Sequence, residues 1–195
     1  MPQIKVCAAI CREAGVVTTM YSTSAFKQAD IAAIIVKIRN YFGPAKKVAI
    51  FLDNASYHKT ALVKQAGVDN NVKLVFNMPY RPDLNGIELL WRRSKVAYYN
   101  FVDSFRAMGG RRWDQLNIVK RCVEEVPREH VQKIAEGGWA RLGGAEPILA
   151  QIRPWEINHL VSLTAYQHWW SNVDLPASWE ELQQDLQANG QAPHQ

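Results

Sequence analysis

At 195 residues the chain can fill one good core and a smaller appendage, which excludes a string of independent domains. Its 48% hydrophobic and 21% charged content excludes wholesale disorder, and no apolar run approaches the length of a membrane span. A formal charge of +5 favours a polyanionic partner, while three scattered cysteines (Cys7, Cys11 and Cys122) argue for core packing in a reducing compartment and against a disulfide framework or a zinc set.

Ile4, Val6, Ala8 and Ile10 alternate with partners that include Lys5 and predict a strand. A turn at Gly15 leads into VVTTMY, a second strand antiparallel to the first. Over residues 25–42 the period becomes helical. Ile31, Ile34, Ile35, Ile38 and Phe42 share a stripe, Lys37 and Arg39 face away, Ser24 is the N-cap and Gly43-Pro44 the stop. VAIFL, residues 48–52, is an unbroken apolar run, expected as a strand buried on both faces with Asp53 at its carboxyl end. NASYHKTALVKQAG predicts a short helix ended by Gly67, and residues 72–76 the next strand. Pro79 and Pro82 stiffen the following loop, and Asp83 or Asn85 is placed to cap a helix. That helix carries Ile87, Leu90, Trp91, Ser94, Tyr98 and Phe101 on its core stripe, with Arg92, Arg93 and Lys95 mostly off it.

After Met108-Gly109-Gly110, a further helical stripe comprises Trp113, Leu116, Val119, Cys122 and Val123, and another helix is expected from Pro127 to Gly137-Gly138. Beyond Pro147 the chain is rich in tryptophan (Trp155, Trp169, Trp170, Trp179). Ser178 and Glu181 form a capping-box pair for a last short helix.

Open α/β sheets place their chemistry at the carboxyl ends of strands. Asp53 on a strand tip and Glu88 just inside a helix are acids carried by separate rigid elements, an arrangement that can hold a hard divalent cation. Plainer readings stand beside this one. Asp53 can cap the turn after its strand, and Glu88 can pair with Arg92 at i+4 for about 0.3–0.5 kcal/mol. His58 can be a surface or capping side chain, Arg92, Arg93 and Lys95 a solvated face, and the tryptophans a small core or a partner surface.

FLDNASYHKT followed by LVFNMPYRPDLNGIELLW resembles the DDE transposases of the mariner superfamily. In that family the second acid lies in a DNA-x-x-H segment and the third in S-P-D-L-N-P-I-E-x-x-W. Here Asp53 and Glu88 match, with the 34 residues from position 54 to 87 between them, and Asn54, His58, Pro79, Tyr80, Pro82, Asp83, Leu84, Asn85, Ile87 and Trp91 also fit. The resemblance covers most of residues 4–142. It departs at Arg81, where the family has serine, and at Gly86, where proline's helix-ready φ is given up at an expected modest cost.

The resemblance implies an α/β fold, an RNase H-like mixed sheet flanked by helices that lacks its first strand and carries a helical C-terminal extension. Residues 1–106 would be the core from its second strand onward, 107–146 a helical extension, and 147–195 a Trp-rich helical tail without an assigned role. It implies metal-dependent DNA strand cleavage and transfer with Mg²⁺ or Mn²⁺. Asp53 and Glu88 would be the catalytic metal ligands, Asn54, His58 and Asn85 would support the site, and Arg92, Arg93 and Lys95 would contact DNA phosphates. The family's first catalytic Asp and its helix-turn-helix region have no counterpart, so the chain is expected to be incomplete as an enzyme by itself. Its expected partners are DNA and either a second polypeptide supplying those parts or a second copy of the chain, with no membrane. The expected location is intracellular, wherever the genome is kept (nucleus or nucleoid). The alternative is a captured, non-catalytic RNase H-like module that binds nucleic acid or serves as a structural subunit.

Overall fold

The computed structural model describes residues 3–110, 114–142, 145–152, 154 and 158–166. The chain starts with a hairpin, β1 (Lys5–Cys11) and β2 (Gly15–Ser22), whose turn closes on Gly15 at φ 78°. Then come α1 (Gln28–Phe42), β3 (Val48–Leu52), a 3-10 turn at Ser56–Lys59, α2 (Ala61–Asp69) and β4 (Val72–Phe76). A second 3-10 turn, Pro82–Leu84, leads into the long α3 (Ile87–Ala107). The remainder is α4 (Gln115–Glu124), α5 (Arg128–Leu142), α6 (Glu146–Ile152) and β5 (His159–Tyr166).

The five strands form one mixed sheet in the order β2-β1-β5-β3-β4. β5 runs antiparallel to β1 and parallel to β3, pairing Val48 with His159 and Leu52 with Leu163. Side chains alternate across the sheet, so each strand feeds two cores. On one side Cys7, Ala9, Ile50, Leu52, Val161 and Leu163 pack against Ile31, Ile34, Ile35 and Ile38 of α1 and Val63 of α2. On the other, Val6, Ala8 and Ile10 meet Ile87, Leu90 and Trp91 of α3 with Val119, Val123 and Val131. Ala49, Phe51, Val75 and Leu160 meet Leu84, Leu142, Ile148 and Ile152 on that same side. This mixed α/β sheet with helices on both faces is the RNase H-like class expected from the sequence. No helix among the described residues is long and apolar enough to cross a membrane.

Several local expectations need correction. Residues 159–166 are a strand at the centre of the sheet, where the sequence suggested only a helical tail. The strand's partners lie more than 100 residues away, and pairing at that range leaves no local periodic trace. Lys27, not Ser24, precedes the first turn of α1, and its N–H donates to Asp30 Oδ2 at 2.8 Å. Arg39 does not face away; it is buried. Gly67 does not end α2, which runs on to Asp69. A Cβ at Gly67 would touch Leu74 Cγ at 3.0 Å, so the glycine allows close helix–strand packing. Gly137-Gly138 does not stop α5 either. Leu116 is exposed, and Val102 takes the core place given to Phe101. Trp113, Trp155, Trp169, Trp170, Trp179 and the Ser178–Glu181 pair lie outside the described residues.

Candidate active site

β3 is buried along its whole length because helices cover both faces, and the first polar residue after it, Asp53, emerges at its carboxyl end. The capping and ligand readings of Asp53 turn out to be compatible. Its Oδ1 accepts the N–H of Ala55 at 2.9 Å, a local Asx turn, and lies 2.7 Å from Nδ1 of His58. His58 is fully buried, so it is neither a surface side chain nor a cap. Nδ1 carries the proton that bridges to the carboxylate, while Nε2 is buried without a hydrogen-bond partner. Both contacts fall on Oδ1, and Oδ2 accepts no hydrogen bond among the described residues. The imidazole therefore orients the carboxylate and leaves one oxygen for something else.

Glu88 sits in the first turn of α3, half-buried. Burial pushes its carboxyl up to about 7, and the negative charge of Asp53 pushes the same way against the opposing charge of Lys95. The cation acting on Glu88 is therefore Lys95, two turns along α3, and not the i+4 residue Arg92. Two carboxylates that repel each other in a partly dry site are a set of hard oxygen donors, which suits Mg²⁺ or Mn²⁺. Among the described residues no third acid, histidine or cysteine joins them in a metal-sized cluster.

The loop between the two acids is anchored to the first of them. Asn77 N–H donates to Leu52 O at 2.8 Å, and the Asn54 side-chain amide donates to Asn77 O. The buried Asn77 side chain spans the loop, with Oδ1 accepting from Met78 N–H at 2.7 Å and Nδ2 donating to Arg81 O at 2.6 Å. Asn77 is the residue sequence reasoning missed; an Asn between a strand end and Met-Pro was the available signal. Neither Asp83 nor Asn85 caps α3 with its side chain. Asp83 holds Arg81 in a two-pronged pair, while Asn85, buried, presents its carbonyl to Glu88 N–H at 3.1 Å.

Gly86 is more than a proline replacement. A Cβ there would come 2.7 Å from Ile134 O, and one on Gly138 would meet Gly86 Cα and N at 3.0 Å. The start of α3 and the middle of α5 cross backbone to backbone, two residues before Glu88. Gly86→Ala is therefore expected to cost about 1–3 kcal/mol by overpacking, despite alanine's better helix propensity. A urea midpoint unchanged by the substitution would disprove the crossing.

The basic residues separate. Lys95 acts on Glu88. Arg92 is half-buried with Nη1 out of solvent and no hydrogen-bond partner there. Arg93 is exposed and lines a cavity of about 490 Å³ between α3 and α4, with Phe101, Ile118 and Arg121.

The family model described as DDE superfamily endonuclease matches residues 2–108, which includes both acids and the loop between them. No curated protein matches the chain.

Proposed function

Since the chain belongs to the DDE superfamily of endonucleases, we propose that it is a transposase-derived DNA-processing domain of the mariner type. In this reading Asp53 and Glu88 are its metal ligands and DNA phosphodiesters its substrate. The observation that carries this is the pairing of two acids from separate rigid elements, one oriented by a buried histidine and the other held partly protonated by burial and by its neighbour's charge. A bound Mg²⁺ or Mn²⁺ would contribute activation of water or a 3′-hydroxyl and neutralisation of the leaving oxygen. The chain's own residues do the rest. His58 and Ala55 N–H fix Asp53, Asn54 and Asn77 hold the intervening loop, and the Gly86–Gly138 crossing sets where Glu88 stands. Arg92, Arg93 and Lys95 are assigned to DNA phosphates, with Lys95 next to the acids.

The second reading, a captured module without catalysis, is favoured by one specific feature. β5 is the central neighbour of β3 and, as HLVSLTAY, carries no acid beside Asp53. We therefore assign the polypeptide alone metal binding without DNA cleavage, and cleavage only with a second polypeptide that brings a third carboxylate. Calorimetric titration with Mn²⁺ is expected to give binding that Asp53→Asn weakens at least about tenfold, the loss of a charged oxygen ligand costing more than 1.4 kcal/mol. Plasmid nicking by the polypeptide alone would overturn this assignment, and nicking that also survives Asp53→Asn would place the chemistry elsewhere.

A further inference from the structure

We infer that Tyr80 is a stacking platform for an unpaired DNA base beside the two acids, an inference that rests on the DNA-processing reading above. Tyr80 is 99% exposed, the most open large apolar side chain described, and its backbone sits at φ 59°. A bulky residue in the left-handed region is strained, and glycine or asparagine would hold the same turn more easily. The ring gives nothing back, because at that exposure it packs against no part of the protein.

The surroundings force the conformation. Pro79 and Pro82 flank it, and the Asn77 side chain bridges from Met78 N–H to Arg81 O, enclosing residues 78–81. Arg81 is drawn onto Asp83, with Nε at 2.9 Å and Nη2 at 2.8 Å, so its guanidinium is engaged by that carboxylate. The result is a stiff loop with a bare aromatic ring at its tip, the form of a recognition element and not of a core residue.

Its position gives the ring a partner. Asn77 is bonded to Leu52 O and receives Asn54, the residues on either side of Asp53. Tyr80 is three residues further on, so its Cα is no more than about 10 Å from that of Asn77. With Asn77 tied to the residues on either side of Asp53, the ring stands on the same loop that borders the phosphodiester which Asp53 and Glu88 would hold. An aromatic face stacks on any base, but a base inside a duplex already has both faces covered. The occupant of Tyr80 is therefore a base left unpaired at the strand being processed.

The test uses the full chain, in Ca²⁺, with a paired duplex and the same duplex carrying one bulged 2-aminopurine. Wild-type protein is expected to prefer the bulged duplex and to quench the probe. Tyr80→Gly should lose about five- to hundredfold of affinity for that duplex, keep its affinity for the paired one, and melt no lower than wild type. Tyr80→Trp should restore both quenching and preference. If Tyr80→Gly retains the preference, the stacking role is wrong while the DNA-processing reading stands. If wild-type protein binds neither duplex, both fall.

Discussion

Glu88→Gln is expected to stabilise the metal-free protein at pH 8 and to have little effect at pH 4. Burial and the Asp53 charge raise the Glu88 carboxyl to about 7, against about 4.5 for an ordinary glutamate. In the unfolded chain the group loses its proton near 4.5, whereas in the folded protein it keeps it to about 7. Folding therefore takes up a proton within that window, and stability falls as pH rises through it, by about 3 kcal/mol in total. Glutamine carries no charge and removes this slope, less the cost of burying its amide. Urea unfolding in EDTA at pH 4 and pH 8 measures the difference, and parallel pH profiles for the two proteins would show that Glu88 is not desolvated. Added Mn²⁺ should recover the loss in the wild-type protein and leave the variant unmoved, because a ligand stabilises only the state that binds it.

Arg39→Met is expected to cost about 3–5 kcal/mol, a large share of the 5–15 kcal/mol typical of a domain. The guanidinium, 7% exposed, donates to four backbone carbonyls. Nε reaches Asn70 O at 2.8 Å, Nη1 reaches Gly43 O at 2.7 Å and Lys46 O at 2.8 Å, and Nη2 reaches Asn71 O at 2.6 Å. These carbonyls belong to the end of α1, the approach to β3 and the turn after α2, where Asn71 itself has φ 48°. Methionine keeps the apolar stem and strands the acceptors. Arg39→Lys should recover only part of the loss, because an ammonium cannot spread its donors over four directions. Chemical denaturation settles the size of the effect, and a change below about 1 kcal/mol would mean that water satisfies those carbonyls equally well.

The two variants also mark where sequence reasoning succeeds. Glu88 was legible because a proline-stiffened loop followed by a helical stripe announces a helix start, and an acid in that first turn stands out. Arg39 was not legible, because one period of a helix distinguishes core from surface only by residue type, and arginine counts as surface. Its burial depends on carbonyls up to 32 residues away. His58 is a similar case. The local pattern allowed a cap or a surface group, and only the packing of the 3-10 turn against α1 and α2 made it the buried donor to Asp53. Gly86, read as a small loss of helix pre-organisation, proved to be half of a close helix crossing whose other half, Gly138, had been taken for a stop.

By itself the sequence determined the hairpin, the buried strand β3 with an acid at its tip, the amphipathic α1 and α3, and the turn that puts Glu88 at the start of α3. Each of these is written within a window of a few turns or strand residues, where side-chain period and turn chemistry act directly on the backbone. The tertiary structure alone decided that β5 occupies the middle of the sheet, where Asn158 Oδ1 accepts from Lys47 N–H across 111 residues. It also decided that Arg39 is a buried clamp and that two glycines set the position of Glu88. Those outcomes depend on which distant surfaces meet, and burial, desolvation and close backbone contact come into being only when they do.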